Sequence, residues 1–112
     1  MDYTRLIDRL RAAGVSALPA GEVEQSFISV QGRMIKIGDE DVQVFQYARA
    51  NAAAEQAALV SPDGSAVGTS VIHWIESPHF FRKGLLLVIY VGDDETVIKA
   101  LEGVLGRQFA GK

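Results

Sequence analysis

The feature that most constrains the fold is an uninterrupted apolar segment, LLLVIYV, at residues 85–91. It follows the turn signal Lys83-Gly84 and stops at Gly92. Its seven residues, at about 3.3 Å each, have the length of one strand, and its β-branched and aromatic side chains favour a strand over a helix. Because the run is continuous and not alternating, both of its faces should be covered. The segment therefore predicts a central strand in which Leu87 and Ile89 are fully buried.

The residues just before this strand contain the only tryptophan and both histidines of the chain. Residues 71–76 have a mixed pattern and predict a second strand, with His73 and Trp74 on opposite faces. Residues 77–84, SPHFFRKG, are too many for a two-residue hairpin turn and are rich in aromatic side chains. We predict that they form an ordered hairpin loop between the two strands.

The remaining pattern predicts a single α+β domain over residues 1–112, in the order α-β-β-β-α-β-β-α. Helices are predicted at residues 2–13, 50–60 and 93–105, the last with Asp93 as its N-cap, and further strands at residues 25–30, 33–37 and 41–48. Residues 15–21 contain Pro19 and predict an extended connection that is not paired. The expected fold is an antiparallel sheet of about five strands with the helices packed on one face.

Composition excludes several classes of site. The chain has no cysteine, so it contains no disulfide, thiolate metal site or thiol nucleophile. Its net charge of -3 comes from scattered acids and bases, which argues against a nucleic-acid partner. No apolar run reaches the roughly 18 residues of a membrane span, and no apolar signal segment follows Met1. A cytoplasmic location is compatible with these features.

Several motifs are shared with a known group of proteins. They are Trp74, PHFFRKG at residues 78–84, YVG at 90–92, VQVFQY at 42–47, SPDG at 61–64 and LGRQFAG at 105–111. Over nearly its whole length the chain resembles a family of small bacterial proteins of unassigned activity, many of them described as lipoproteins. The resemblance implies an extracytoplasmic location in the cell envelope, with membrane attachment only through an anchor that would precede this chain. It supplies no catalytic residues.

His73, Glu76 and His79 form the only cluster of metal-ligand residue types. Two imidazoles and a carboxylate are able to bind zinc with one position left for water, which would suit a small metal-dependent or acid/base hydrolase. The opposite strand parity of His73 and Glu76 favours a simpler interpretation, in which His73 forms a hydrogen bond within the sheet and His79 caps loop carbonyls. We therefore predict no metal, no cofactor and no catalytic residue.

His79, Arg82 and Lys83 lie together on the predicted loop. Arginine offers a planar fork and lysine a point charge, so the three side chains would suit a small anionic ligand such as a carboxylate or phosphate. The same residues would also occur in a solvated loop tip that binds no ligand. Ligand binding at this loop is thus one hypothesis, with Trp74 and Tyr90 as its aromatic neighbours.

Aromatic residues follow the predicted strands, namely Phe45, Tyr47, Trp74, Phe80, Phe81 and Tyr90. This pattern is compatible with three arrangements, namely a core, a pocket or an exposed patch. Three short helices would cover only one face of the sheet, so the other face would meet loops, a ligand or a second copy of the chain. We predict a homodimer through the sheet face, with Trp74 or Tyr90 near its centre. The leading function is a non-catalytic binding or protein-interaction module.

Overall fold

A computed structural model describes residues 1–111, which form three helices and eight strands. The elements are α1 (Tyr3–Ala12), β1 (Ala17–Val23), β2 (Gly32–Ile37), β3 (Glu40–Gln46), α2 (Ala50–Ala57), β4 (Ala66–Val67), β5 (Ser70–Val71), β6 (Pro78–Lys83), β7 (Leu86–Val91), α3 (Glu95–Leu105) and β8 (Ala110–Gly111). Six strands form one antiparallel sheet in the order β1-β2-β3-β7-β6-β8, and β4 pairs with β5 in a small hairpin. The predicted α+β class and antiparallel sheet are confirmed, with one more strand in the sheet than expected.

Strand β7 lies between β3 and β6, inside the sheet. Leu87 and Ile89 have no exposed surface, so the prediction of a central, doubly covered strand is confirmed. Successive residues of β7 point to opposite faces and join two separate apolar cores. Leu86 and Tyr90 belong to one core, and Leu87 and Ile89 to the other.

The two cores are covered in different ways. Helices α1 and α3 pack on the face that contains Tyr90, through residues such as Leu6 and Leu101. Helix α2 packs on the opposite face, where Ala53 has no exposed surface. The expectation that all helices share one face is therefore wrong. The apolar side chains on the second face of β7 need cover as well, and α2 supplies it together with loops that carry Ile28, Ile72 and Trp74.

The predicted hairpin before β7 is shifted along the chain. Only Val71 of residues 71–76 lies in a strand, whereas Pro78–Lys83, assigned to a loop in the sequence interpretation, forms strand β6 and pairs with β7 along its whole length. The turn between them is tight, because Lys83 pairs with Leu86 across Gly84, whose φ of 56° suits such a turn. Pro78 is tolerated because it is the first residue of β6.

The N-terminal half differs from the sequence interpretation at two places. Residues 25–30 are not a strand, whereas Ala17–Val23 is a paired edge strand with an irregularity between Pro19 and Glu22. An edge position accommodates Pro19, which cannot donate a ladder hydrogen bond. The Arg11 Nε donates to the Ala17 carbonyl at 2.9 Å, which satisfies a backbone group at this end of the strand.

Both amphipathic helices begin at an aspartate. Asp2 caps α1 by accepting from the Arg5 amide at 2.9 Å, and Asp94 caps α3 by accepting from the Thr96 amide at 2.9 Å. The cap of α3 is thus one residue later than the predicted Asp93. Among residues 1–111, no helix combines the length and apolar character that crossing a bilayer requires.

Candidate functional site

His79 is a buried structural residue in β6, with 5% of its surface exposed. Its Nε2 lies 2.9 Å from the carbonyl oxygen of Gly92. Its Nδ1 lies 2.7 Å from Oε1 of Gln108, and its ring stacks on Tyr90. Both ring nitrogens are therefore occupied by contacts within the fold.

His73, Glu76 and His79, the alternative metal ligands, do not come together in the structure. His73 and Glu76 are exposed on the segment that precedes β6, whereas His79 is buried within the sheet. No group of three histidine, aspartate or glutamate side chains in residues 1–111 has the arrangement needed to hold a metal ion. The structure therefore gives the hydrolase hypothesis no site built from these three residues.

The three candidates for anion binding also point in different directions. Arg82 and Lys83 are adjacent in a strand, so their side chains leave opposite faces of the sheet. Arg82 Nη2 lies 3.4 Å from the carbonyl of Ala50 in α2, while Lys83 Nζ lies 3.3 Å from that of Val104 near the end of α3. His79 does not converge with them because it is buried and engaged elsewhere.

Tyr90 and Trp74, the two aromatic candidates, have different environments. Tyr90 has no exposed surface and contacts the core beneath α1 and α3. Trp74 is half-buried and lines a cleft of about 440 Å³ outside the sheet. The lining of this cleft, which we call the Trp74 cleft, consists of Asp63, Ser65, Ile72, His73, Trp74, Glu76, Ser77 and Pro78.

The indole ring of Trp74 is held in one orientation. Its Nε1 donates to the carbonyl of Gly64 at 2.7 Å. Its ring meets those of Phe27 and Phe80 edge to face, at centroid distances of 5.8 and 5.9 Å. A side chain at Gly64 would meet the Phe80 ring at 2.9 Å, and the φ of 75° there also favours glycine. The Ser61-Pro62-Asp63-Gly64 turn thus fixes the wall of the cleft.

The segment of residues 71–77 is anchored near both ends. The Ile72 amide donates to the carbonyl of Ser65 at 2.8 Å, and the Gly92 amide donates to that of Ser77 at 2.9 Å. Between these anchors Ile75 is 93% exposed, and Val71, just before them, is 70% exposed. The backbone is thus hydrogen-bonded near both ends of a segment whose two large apolar side chains face solvent.

Asp63 gives the Trp74 cleft a fixed negative charge. Its Oδ1 accepts from the amide of Ser65 at 3.0 Å, from the hydroxyl of Ser65 at 2.7 Å and from that of Ser61 at 2.9 Å. These hydrogen bonds, the amide of Ser65 first, lower the pKa of Asp63 from 3.8 to about 2. Glu76 adds a second carboxylate, and no lysine or arginine is part of the lining.

Sequence reasoning identified His73, Trp74 and Glu76 but missed Asp63 and Ser65. Ser61-Pro62-Asp63-Gly64 forms a turn, in which the Gly64 amide donates to the Ser61 carbonyl. The sequence feature that indicated a role for Asp63 was the presence of Ser61 and Ser65, each two residues away. Hydroxyls so close to a carboxylate are able to donate hydrogen bonds to it and lower its pKa.

No family model, curated protein or solved structure matches this chain.

Proposed function

We propose that the protein is a non-catalytic binding module that recognises a polypeptide segment. The binding surface is the Trp74 cleft together with the exposed side chains of Val71 and Ile75, and we call the whole the Trp74 surface. The observation that carries the proposal is Ile75, which is 93% exposed on a segment whose backbone is hydrogen-bonded near both ends. A large apolar side chain held in solvent next to a cleft suits an anchor contact that a partner buries.

Both faces of the central strand β7 are covered within residues 1–111, and this bears on how the protein would associate. Tyr90 has no exposed surface, so it does not lie at the centre of any interface in this conformation. The physical reason for a dimer through a bare sheet face is therefore removed. Self-association remains a proposal only in the form of contacts at the Trp74 surface. The envelope location is likewise a proposal, and its support is the family resemblance.

Selection of phage-displayed peptides on the native protein tests the proposal. Trp74 is the only tryptophan, so its fluorescence reports directly on the surface where selected peptides should bind. We expect Ile75→Ser to weaken binding at least about tenfold, since burial of an Ile side chain contributes roughly 1.5–3 kcal/mol. Leu18→Ser is the matched control, because Leu18 is 56% exposed but lies on the edge strand β1. Failure to select any peptide, or equal losses in both variants, would contradict the proposal.

A further inference from the structure

We propose that the Trp74 cleft binds an organic cation, an alkylammonium or a guanidinium group, whose charge pairs with the carboxylates of Asp63 and Glu76 beside the indole ring. This inference rests on the proposed function because both use the Trp74 surface. It adds the chemical class of the group that is bound. The same chemistry occurs in a free amine and in a lysine or arginine side chain of a polypeptide. Peptides with and without a lysine separate these two sources.

The charges of the lining select the sign of the ligand. Asp63 and Glu76 are its only acidic side chains, and neither lysine nor arginine is part of it. Neither carboxylate forms an ion pair within residues 1–111, where Lys36 and Asp41 form one. Filling the cleft with an anion would bring like charges together, and filling it with a neutral group would remove water from carboxylates without giving them a partner.

Asp63 is suited to pair with a cation because its two oxygens differ. Oδ1 accepts all three hydrogen bonds from Ser61 and Ser65, so these bonds orient the carboxylate. The side chain as a whole remains exposed, which leaves its second oxygen accessible to a ligand. The low pKa of Asp63, about 2, means that the charge is present throughout the physiological pH range.

The aromatic wall adds a second attraction for a cation. An indole face is the best of the aromatic side chains at attracting ammonium and guanidinium groups. Trp74 is half-buried, and its hydrogen bond to Gly64 and its edge-to-face contacts with Phe27 and Phe80 keep it in place without the ligand. Ile72 supplies apolar surface for an aliphatic stem. The cleft volume of about 440 Å³ lies within the usual range of about 300–1,000 Å³ for small-ligand pockets.

Fluorescence titration of Trp74 with n-butylammonium, n-butylguanidinium and neutral n-butanol tests the inference. We expect both cations to change the emission saturably, and n-butanol to produce no saturable change. Calorimetry should then show binding about threefold to tenfold weaker in Asp63→Asn and in Glu76→Gln. Asparagine retains an Oδ1 that accepts the bonds from Ser61 and Ser65, so Asp63→Asn removes the charge while keeping the turn. Glu102→Gln, on α3, removes the same charge from a distant exposed site and should bind like the native protein.

Two peptides that differ only in lysine or norleucine at one position distinguish the sources. Preference for lysine that disappears in Asp63→Asn assigns the cleft to a polypeptide side chain. Binding of n-butylammonium without any peptide binding supports the cation site and overturns the polypeptide proposal. Peptides that depend on Ile75 but not on lysine, Asp63 or Glu76 support the polypeptide proposal and overturn the cation site. Equal losses of n-butylammonium affinity in Asp63→Asn, Glu76→Gln and Glu102→Gln would also overturn the cation site.

Discussion

The hydroxyl of Tyr90 donates a hydrogen bond to the carboxylate of Glu40 and accepts one from the backbone amide of Asp94 at 3.1 Å. These contacts join the end of β7 to the beginning of β3 and to the N-cap of α3. Burial, and next the bond to Glu40, raise the pKa of Tyr90 above its ordinary value of 10.0. A residue that the sequence interpretation placed in a ligand site or an interface is thus a polar link inside the core.

Tyr90→Phe tests the strength of this link. The change removes both hydrogen bonds and leaves the Asp94 amide without its partner, so we expect a loss of about 1–3 kcal/mol in the free energy of unfolding. Urea denaturation measures it. Tyr3→Phe is the comparison variant, since the Tyr3 hydroxyl makes one hydrogen bond, to the Met34 carbonyl at 3.1 Å, in a less buried position. A loss at Tyr90 no larger than at Tyr3 would show that Glu40 and Asp94 are satisfied by water.

Leu87→Ala and Ile89→Ala test the central position of β7. Both side chains have no exposed surface, and each loss of buried methyl groups should cost about 2–5 kcal/mol of unfolding free energy. Leu18→Ala removes the same atoms as Leu87→Ala from an exposed edge position and should cost much less. A change below about 1 kcal/mol at Leu87 would mean that β7 is not the buried centre of the sheet, because even a site that collapses around the cavity loses the transfer free energy of the removed atoms.

The elements predicted best from the sequence are those whose periodicity has one interpretation. A continuous apolar run such as β7 has to be covered on both faces. Residues 33–37 and 41–48 are short segments bounded by turn residues, and they correspond to β2 and β3. Residues 71–83 were ambiguous because residues 71–76 and residues 78–83 both contain β-branched or aromatic side chains, which favour a strand. Only the half next to Gly84 is able to pair with β7 through a tight turn, and the other half instead covers the core with Ile72 and Trp74.

The candidate site was partly predicted for a related reason. His79 has the residue type of a metal ligand, but the same two nitrogens serve equally well as hydrogen-bond partners for Gly92 and Gln108. Residue type does not distinguish the two uses. Asp63 comes beside Trp74 through the β4–β5 hairpin and the bond from Trp74 to Gly64, contacts that no local sequence pattern shows.

Asp94→Ala and Asp93→Ala form a matched pair that identifies the cap of α3. The Asp94 side chain accepts from the amides of Thr96 and Val97, so its loss should cost about 1 kcal/mol of unfolding free energy. Asp93 lies before the cap, and its replacement should leave the stability within about 0.5 kcal/mol of the native protein. Thermal or urea denaturation measures both. The reverse order of the two losses would place the first turn of α3 one residue earlier.

Asp63→Ala predicts a pH dependence of stability with a defined sign. The folded state holds the pKa of Asp63 at about 2, below its ordinary 3.8, through the bonds from Ser65 and Ser61. A depressed pKa means that the folded state favours the ionised form, so the stabilisation is complete above pH 3.8 and is lost as the pH falls toward 2. We therefore expect the difference in melting temperature between the native protein and Asp63→Ala to be constant near neutral pH and to shrink below pH 3.8.

Asp63→Asn is the control for this titration, because its amide oxygen accepts the same hydrogen bonds from Ser61 and Ser65 but has no proton to gain. The difference in melting temperature between Asp63→Asn and Asp63→Ala should not change between pH 7 and pH 3. Over the same range, the melting temperature of the native protein should fall toward that of Asp63→Ala. Circular dichroism melts of the three proteins across this range measure both differences. A native-to-alanine difference that is independent of pH would mean that the three bonds to Oδ1 do not favour the ionised carboxylate.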